Sequence, residues 1–401
     1  MNIDRPEAVG FSSRKLSRLT ALMQAYVDTG KVPGLVLMVA RRGKIAFAEA
    51  CGVMDIRDQK PMPLDGIFRL ASQTKPITAA AVMILYEAGA LQVSDPVAKY
   101  LPEFSQIKVY AGAANGQIQL ADAERPITIE DLLTHQAGIV PNDGAYPIGK
   151  ELEALYKQAE LYAPQDDLAE LVTKIAALPL CHQPGAHWRY GVSFDVLAHL
   201  VEVIAGMPFA EFLQQRLFKP LGMVDTGFFV PPEKATRLVR AYAVTETGAL
   251  RDEGEAAHGD YLKPPRLTNG LLSTAMDYQR FAQMLANGGQ LDGLRILGRK
   301  TIEFMAANRL RADQLPFRPF ADTLMAGYGF ALGVRVLIDP AQLGIPASRG
   351  EFGWSGWYGT GVWIDPAEQL SGVLMAQLAI AFWPHIPPLE VRRIVYQAIE
   401  D

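Results

Sequence analysis

Strand-forming segments lie at both ends of this 401-residue chain and helix-forming ones lie between them, which leaves few ways to build one sheet. Near the start, GLVLMVARRGKIAFAEACGVMD (34–55) holds two apolar, β-branched runs around a polar turn with Gly43, and reads as a hairpin. Toward the end, residues 327–339, 351–365 and 370–378 are β-rich stretches separated by turn residues. Residues 14–30 carry Leu16, Leu19, Leu22, Met23 and Tyr26 at helical spacing and stop at Gly30, and 390–400 make a last helix. The predicted class is therefore α+β: a mostly antiparallel sheet assembled from both ends of the chain, flanked by helices, with a mainly helical region inserted. The chain exceeds the roughly 250–300 residues at which a single core stops growing. The expected division is a sheet domain of 1–80 with 266–401 and a helical insert of 81–265, with a pocket expected where the two meet.

Within the insert, TIEDLLTHQAG (128–138) has Thr128 at a plausible N-cap and Gly138 as a stop, and SFDVLAHLVEVIAG (193–206) ends the same way. The region otherwise reads as helix and long loop. Residues 139–155 and 253–270 are loops of a length usually kept for lids or pocket walls.

Several classes of function are disfavoured. The chain has 38 basic and 43 acidic residues and no run of Lys or Arg, so the electrostatic footprint of a nucleic-acid binder is missing. No basic segment followed by an apolar one opens the chain, and no stretch approaches 18 uninterrupted apolar residues. A cytoplasmic protein that neither spans nor binds a membrane is expected. Cys51 and Cys181 lack metal-ligand spacing and read as free thiols. The histidines at 135, 182, 187, 199, 258 and 385 form no metal motif.

Chemistry enters with RLASQTKPITAAAVMIL (69–85). Ser72 and Lys75 stand three apart, but Ser12 with Lys15 and Ser105 with Lys108 share that spacing. The three pairs differ in the residues after the lysine. Ile77 to Leu85 extend an apolar helix that Ser72 would begin, and residues three apart on a helix are neighbours on one face. The apolar surroundings would desolvate the lysine and favour the neutral amine, which can serve as base to a serine nucleophile. A helix start also aims unpaired N–H groups at the reacting centre, and Pro76 falls in the first turn, where its missing N–H costs little. The G-x-S-x-G arrangement of α/β-hydrolases is absent.

Ser72-Gln-Thr-Lys75, Tyr190 within HWRYGVSFDVL (187–197) and GWSGWYG (353–359) occur in that order. Together they resemble the serine β-lactamase and penicillin-binding-protein superfamily, and most closely its class C-like branch with the family VIII carboxylesterases. LLTHQAG (132–138), residues 269–289 and YGFALGV (328–334) extend the similarity over most of the chain. The resemblance implies a β-lactamase-like fold. It also implies that Ser72 is the nucleophile, Lys75 its proton acceptor and Tyr190 the acid/base that serves the leaving group.

Trp354-Ser355-Gly356 stands where β-lactamases carry a Lys-Thr-Gly triplet, whose lysine helps hold a substrate carboxylate. Trp354 resembles instead the Trp-Gly-Gly of the esterase branch, where it lines the acyl or alcohol pocket. Val192 takes the place of the asparagine with which class C enzymes hold a substrate amide. The N–H groups of Ser72 and Trp357 are expected to form the oxyanion hole, with Gly356 allowing close backbone approach to the substrate. With two polar anchors replaced by apolar groups, the expectation is a serine carboxylesterase acting on a small-molecule ester through an acyl-enzyme, with no metal or organic cofactor. Amide hydrolysis (weak β-lactamase, D-peptidase or oligoamide hydrolase) and acyl transfer are the enzymatic alternatives. An inactive binding protein of the same fold is the non-enzymatic one.

Overall fold

The computed structural model of the chain describes residues 3–140, 148–163, 165–245, 247–263, 270–319, 323–379 and 388–401. His385 and parts of both long loops, 141–147 and 264–269, lie outside them. At the centre is an eight-stranded sheet. Its strands in chain order are β1 (Gly34–Arg41), β2 (Lys44–Asp55), β3 (Lys60–Pro61), β4 (Tyr328–Phe330), β5 (Arg335–Leu337), β6 (Phe352–Ser355), β7 (Gly361–Asp365) and β8 (Leu370–Ala376). The spatial order is β4-β5-β6-β7-β8-β1-β2-β3, with every neighbouring pair antiparallel. The two strand-rich regions of the sequence join at β1 and β8, paired from Leu35 opposite Ala376 to Arg41 opposite Leu370. The fold is thus the α+β arrangement expected from the sequence.

Five longer helices matter to the site: α1 (Ser13–Asp28), α2 (Lys75–Glu87), α3 (Ser193–Ala205), α4 (Ala275–Ala286) and α5 (Leu389–Gln397). Every residue of β1 is buried, because both its faces are covered. Leu35, Leu37 and Val39 join Leu16, Leu19 and Met23 of α1 and Val391 and Val395 of α5 in one core. Val36 and Met38 turn to the other side, into a core with Met284 and Leu285 of α4 and Met83 of α2. This explains why β1 is an unbroken apolar run rather than an alternating one. Each such side chain contributes about 1.5–3 kcal/mol relative to exposure. Helix α2 is buried from Pro76 to Leu85, so it is apolar on all sides and packs against α3.

The middle of the chain holds more strand than expected. Lys108–Ala114 and Gln117–Asp122 form a hairpin about Asn115 and Gly116, whose φ values are 53° and 75°. Its faces are mostly exposed, so the core-facing alternation that marks a strand is weak, although Asn-Gly is itself a strong turn signal. Lys150–Gln158, read from sequence as loop, is a helix. Thr128 caps Ile129–Leu133 in a capping box with Asp131, but that helix ends before Gly138. Helix α3 stops at Gly206 in the left-handed conformation, as its sequence suggests. Among the described residues no single helix is long and apolar enough to cross a membrane, and no group of three or more His, Cys, Asp or Glu is placed to hold a metal ion.

Candidate active site

The apolar helix does not begin at Ser72. Ala71–Thr74 form a separate 3-10 turn, and α2 starts at Lys75 with Pro76 in its first turn. The turn opens with Ala71 at φ 46°, a left-handed conformation that costs a non-glycine residue of the order of 1–2 kcal/mol and is held here by its surroundings. Leu70 donates its N–H to Leu271 O at 2.8 Å, Thr74 Oγ1 accepts Leu271 N–H at 2.9 Å, and Tyr278 of α4 donates its hydroxyl to Gln73 O at 2.8 Å. Gly270 lies against Ala71, and a Cβ there would fall 3.2 Å from the Ala71 Cα. Segment 270–278 therefore clamps the turn, a role its sequence does not announce.

Lys75 Nζ lies 3.1 Å from Ser72 Oγ, so the 3-10 turn achieves the juxtaposition expected of a helix. Lys75 Nζ sits 4.8 Å from the Tyr190 ring centroid and 5.8 Å from that of Phe194. Tyr190 precedes α3 and lies over His135, with centroids 4.6 Å apart. Its hydroxyl receives the indole N–H of Trp354 at 3.3 Å. His135 is fully buried, and burial together with the Lys75 charge holds its imidazole well below the usual range. It is therefore neutral, consistent with its Nδ1 accepting the Gly191 N–H at 3.4 Å.

Beside Ser72 and Lys75 opens a cavity of about 290 Å³. Its polar wall includes Tyr162 and Asp195, and its apolar wall Phe194, Ala198, Phe209 and Phe228. Asp195 on α3 accepts the Tyr162 hydroxyl at 2.9 Å, and burial raises its carboxyl above the usual range while the Lys75 charge acts in the opposite direction. Neither Asp195 nor Tyr162 stands out in the sequence. The available signal is a carboxylate five residues after Tyr190, in the first turn of a mostly apolar helix.

Trp354 and Gly356, both expected to bind substrate, pack against Tyr190 and the segment leading into Ser72. Trp354 is buried behind Tyr190, and the cavity lining does not include it, Ser355 or Gly356. Val192 is buried at the foot of α3 in the large core and is likewise outside that lining. Gly356 is required by packing within the protein: a Cβ there would lie 2.0 Å from Leu70 O and 2.4 Å from Thr360 Oγ1. This is a close approach to the segment leading into Ser72. Thr360 Oγ1 also donates to Leu70 O at 3.2 Å, and Gly356 N–H donates to Thr360 O at 2.8 Å, tying the turn after β6 to the Ser72 turn. Trp357, on that turn, is half exposed. Trp188 is buried, with its ring centroid 4.6 Å from that of Phe317.

The Beta-lactamase family model matches residues 19–385. An uncharacterised Mycobacterium tuberculosis protein is 34% identical over 378 residues, covering 92% of this chain and 90% of that one. Esterase EstB of Burkholderia gladioli is 31% identical over 396 residues, covering 93% of each chain. The solved structure of EstCE1, described as a hydrolase with promiscuous acyltransferase activity, superposes with a TM-score of 0.82 at 25% identity, covering 96% of this chain and 99% of that one. With most of its length matched by the family model and by relatives above 30% identity, the chain belongs to the Beta-lactamase family.

Proposed function

We propose that this protein is a serine carboxylesterase. The observation that carries the reading is Ser72 Oγ at 3.1 Å from Lys75 Nζ, both lining a cavity that Phe194, Ala198, Phe209 and Phe228 make partly apolar. Ser72 Oγ attacks the ester carbonyl as its proton passes to the Lys75–Tyr190 pair. The N–H groups of Ser72 and Trp357 receive the developing oxyanion. Tyr190 returns the proton to the departing alkoxide, leaving an acyl group on Ser72. Water, deprotonated by the same pair, then releases the carboxylic acid and restores the serine. Trp354 in place of a lysine, and Val192 in place of an asparagine, remove two polar anchors for an anionic amide substrate and favour neutral esters. The likeness to EstB and EstCE1 supports the same reaction class.

The decisive measurement is hydrolysis of short p-nitrophenyl esters by the purified protein and its Ser72→Ala variant. Loss of turnover in the variant is expected, and full retention would sink the mechanism. Nitrocefin measured alongside tests the amide alternative, for which its kcat/KM would approach the ester value. The description of EstCE1 also favours acyl transfer as a second outcome of the acyl-enzyme, seen as ester exchange when an alcohol is added.

A further inference from the structure

Phe228 belongs to the walls of two cavities. One is the space of about 290 Å³ beside Ser72. The other, of about 380 Å³, lies behind the ring and is lined by Ile67, Ala210, Phe218, Val224 and Phe229 among others. Phe209 lines the first cavity only, and its ring centroid is 6.1 Å from that of Phe228, so the two aromatic rings adjoin in that cavity's wall. The first cavity alone falls at the lower limit of the roughly 300–1,000 Å³ usual for small-molecule sites. The second lies within that range and is apolar along most of its wall.

Resting on the esterase reading above, we propose that Phe228 is the partition that limits acyl-chain length, and that the cavity behind it takes the end of a longer chain when the ring is absent or turned aside. The acyl group is assigned to this side because Tyr190, which serves the leaving alcohol in that reading, lies outside the cavity lining while Ser72 lies within it. The polar groups Ser72, Lys75 and Asp195 gather near the reacting centre, and Ala198, Phe209 and Phe228 offer only carbon. The backbone behind Phe228 is fixed. Gly227 and Leu272 pair in an antiparallel bridge, and Thr226 Oγ1 is bonded to Ser273 Oγ at 2.7 Å and to Asp277 Oδ2 at 2.9 Å. Changing the ring alters the wall without releasing the segment that carries it.

The test is kcat/KM for p-nitrophenyl butyrate and decanoate with the unsubstituted enzyme, Phe228→Ala, the milder Phe228→Leu, and Phe228→Ala combined with Ala210→Trp, which fills the second cavity. The decanoate-to-butyrate ratio is expected to rise about tenfold or more in Phe228→Ala, less in Phe228→Leu, and to return toward the starting value in the double variant. An unchanged ratio in Phe228→Leu and Phe228→Ala, or a gain that survives Ala210→Trp, overturns the proposal. Acetates of butanol and decanol form a second arm, whose ratio is expected to stay fixed. A shift there instead assigns the space to the alcohol and overturns the acyl assignment. Butyrate hydrolysis abolished by Ser72→Ala measures the underlying esterase reading. Its absence removes both, whereas an unchanged chain-length ratio in an active enzyme removes only the partition.

Discussion

The carboxylate of Asp195 accepts the hydroxyl of Tyr162 at 2.9 Å within the same cavity wall that holds Lys75. Burial raises that carboxyl above its usual range while the Lys75 charge opposes the rise, so its negative charge is lost at a higher pH than an exposed aspartate's. Asp195→Asn removes that charge while keeping an acceptor for Tyr162. The expected result is an acidic limb of the kcat/KM profile displaced to lower pH, read by initial rates from about pH 5 to 9. A profile that does not move would mean that the carboxylate is screened from the site.

Gly356 carries a sharper geometric demand. Adding one methyl group at this position drives it into Leu70 O, and Leu70 is two residues from Ser72. Gly356→Ala is expected to lower kcat on short esters by about 100-fold, the usual consequence of displacing a reacting group by an ångström, while circular dichroism reports an intact fold. Near-normal turnover would show that the turn after β6 yields without disturbing Ser72.

Asp277 makes stability fall as pH rises. It is buried, and burial pushes its carboxyl from 3.8 up to about 6, despite the N–H of Asp225 at 2.6 Å and the hydroxyl of Thr226 at 2.9 Å. The protonated form is therefore favoured in the fold. Its stabilising contribution is complete below the unfolded value of 3.8 and lost as pH rises through about 6. Relative to Asp277→Asn, the unsubstituted chain should lose up to about 3 kcal/mol between those limits, measured by urea unfolding at several pH values. Parallel pH curves for the two proteins would contradict this.

A buried ion pair anchors α5 behind the sheet. Arg392 Nη2 lies 2.5 Å from Glu351, and both side chains are almost completely enclosed. Tyr396 donates to the same carboxylate at 2.8 Å and Arg392 donates to the Tyr328 hydroxyl at 2.7 Å. Glu351→Ala strands the guanidinium without a counter-charge, and a loss of about 3–5 kcal/mol is expected in denaturant titration. A loss below about 1 kcal/mol, the range of an exposed pair, would mean that water or a neighbour replaces the carboxylate.

Much of the framework was legible because its signals are local. The hairpin of β1 and β2, the late strands and α3 with its Gly206 stop are written in periodicity and turn residues that tertiary packing does not override. The spacing of Ser72 and Lys75 likewise predicts proximity whether the backbone forms an α-helix or a 3-10 turn. What escaped is set by distant chain segments. Phe228, Tyr162 and Asp195 line one cavity although nothing in their own neighbourhoods points to it. The contact of Gly356 with Leu70 O is of the same kind, since its partner belongs to another part of the chain. Val192 was placed by motif alone, and burial in the core decides its surroundings.

The pairing of β1 with β8 has a kinetic consequence. Leu35 must wait for Ala376, so an apolar strand remains without that partner until the 340 residues between them have been made. Closing so large a loop delays the rewarding contacts, which puts this fold among the slow, high-contact-order ones. Until then the exposed edge of β1 is a template for pairing with other nascent chains, so recovery of active protein should depend on chain concentration and on how fast the carboxy-terminal strands are delivered.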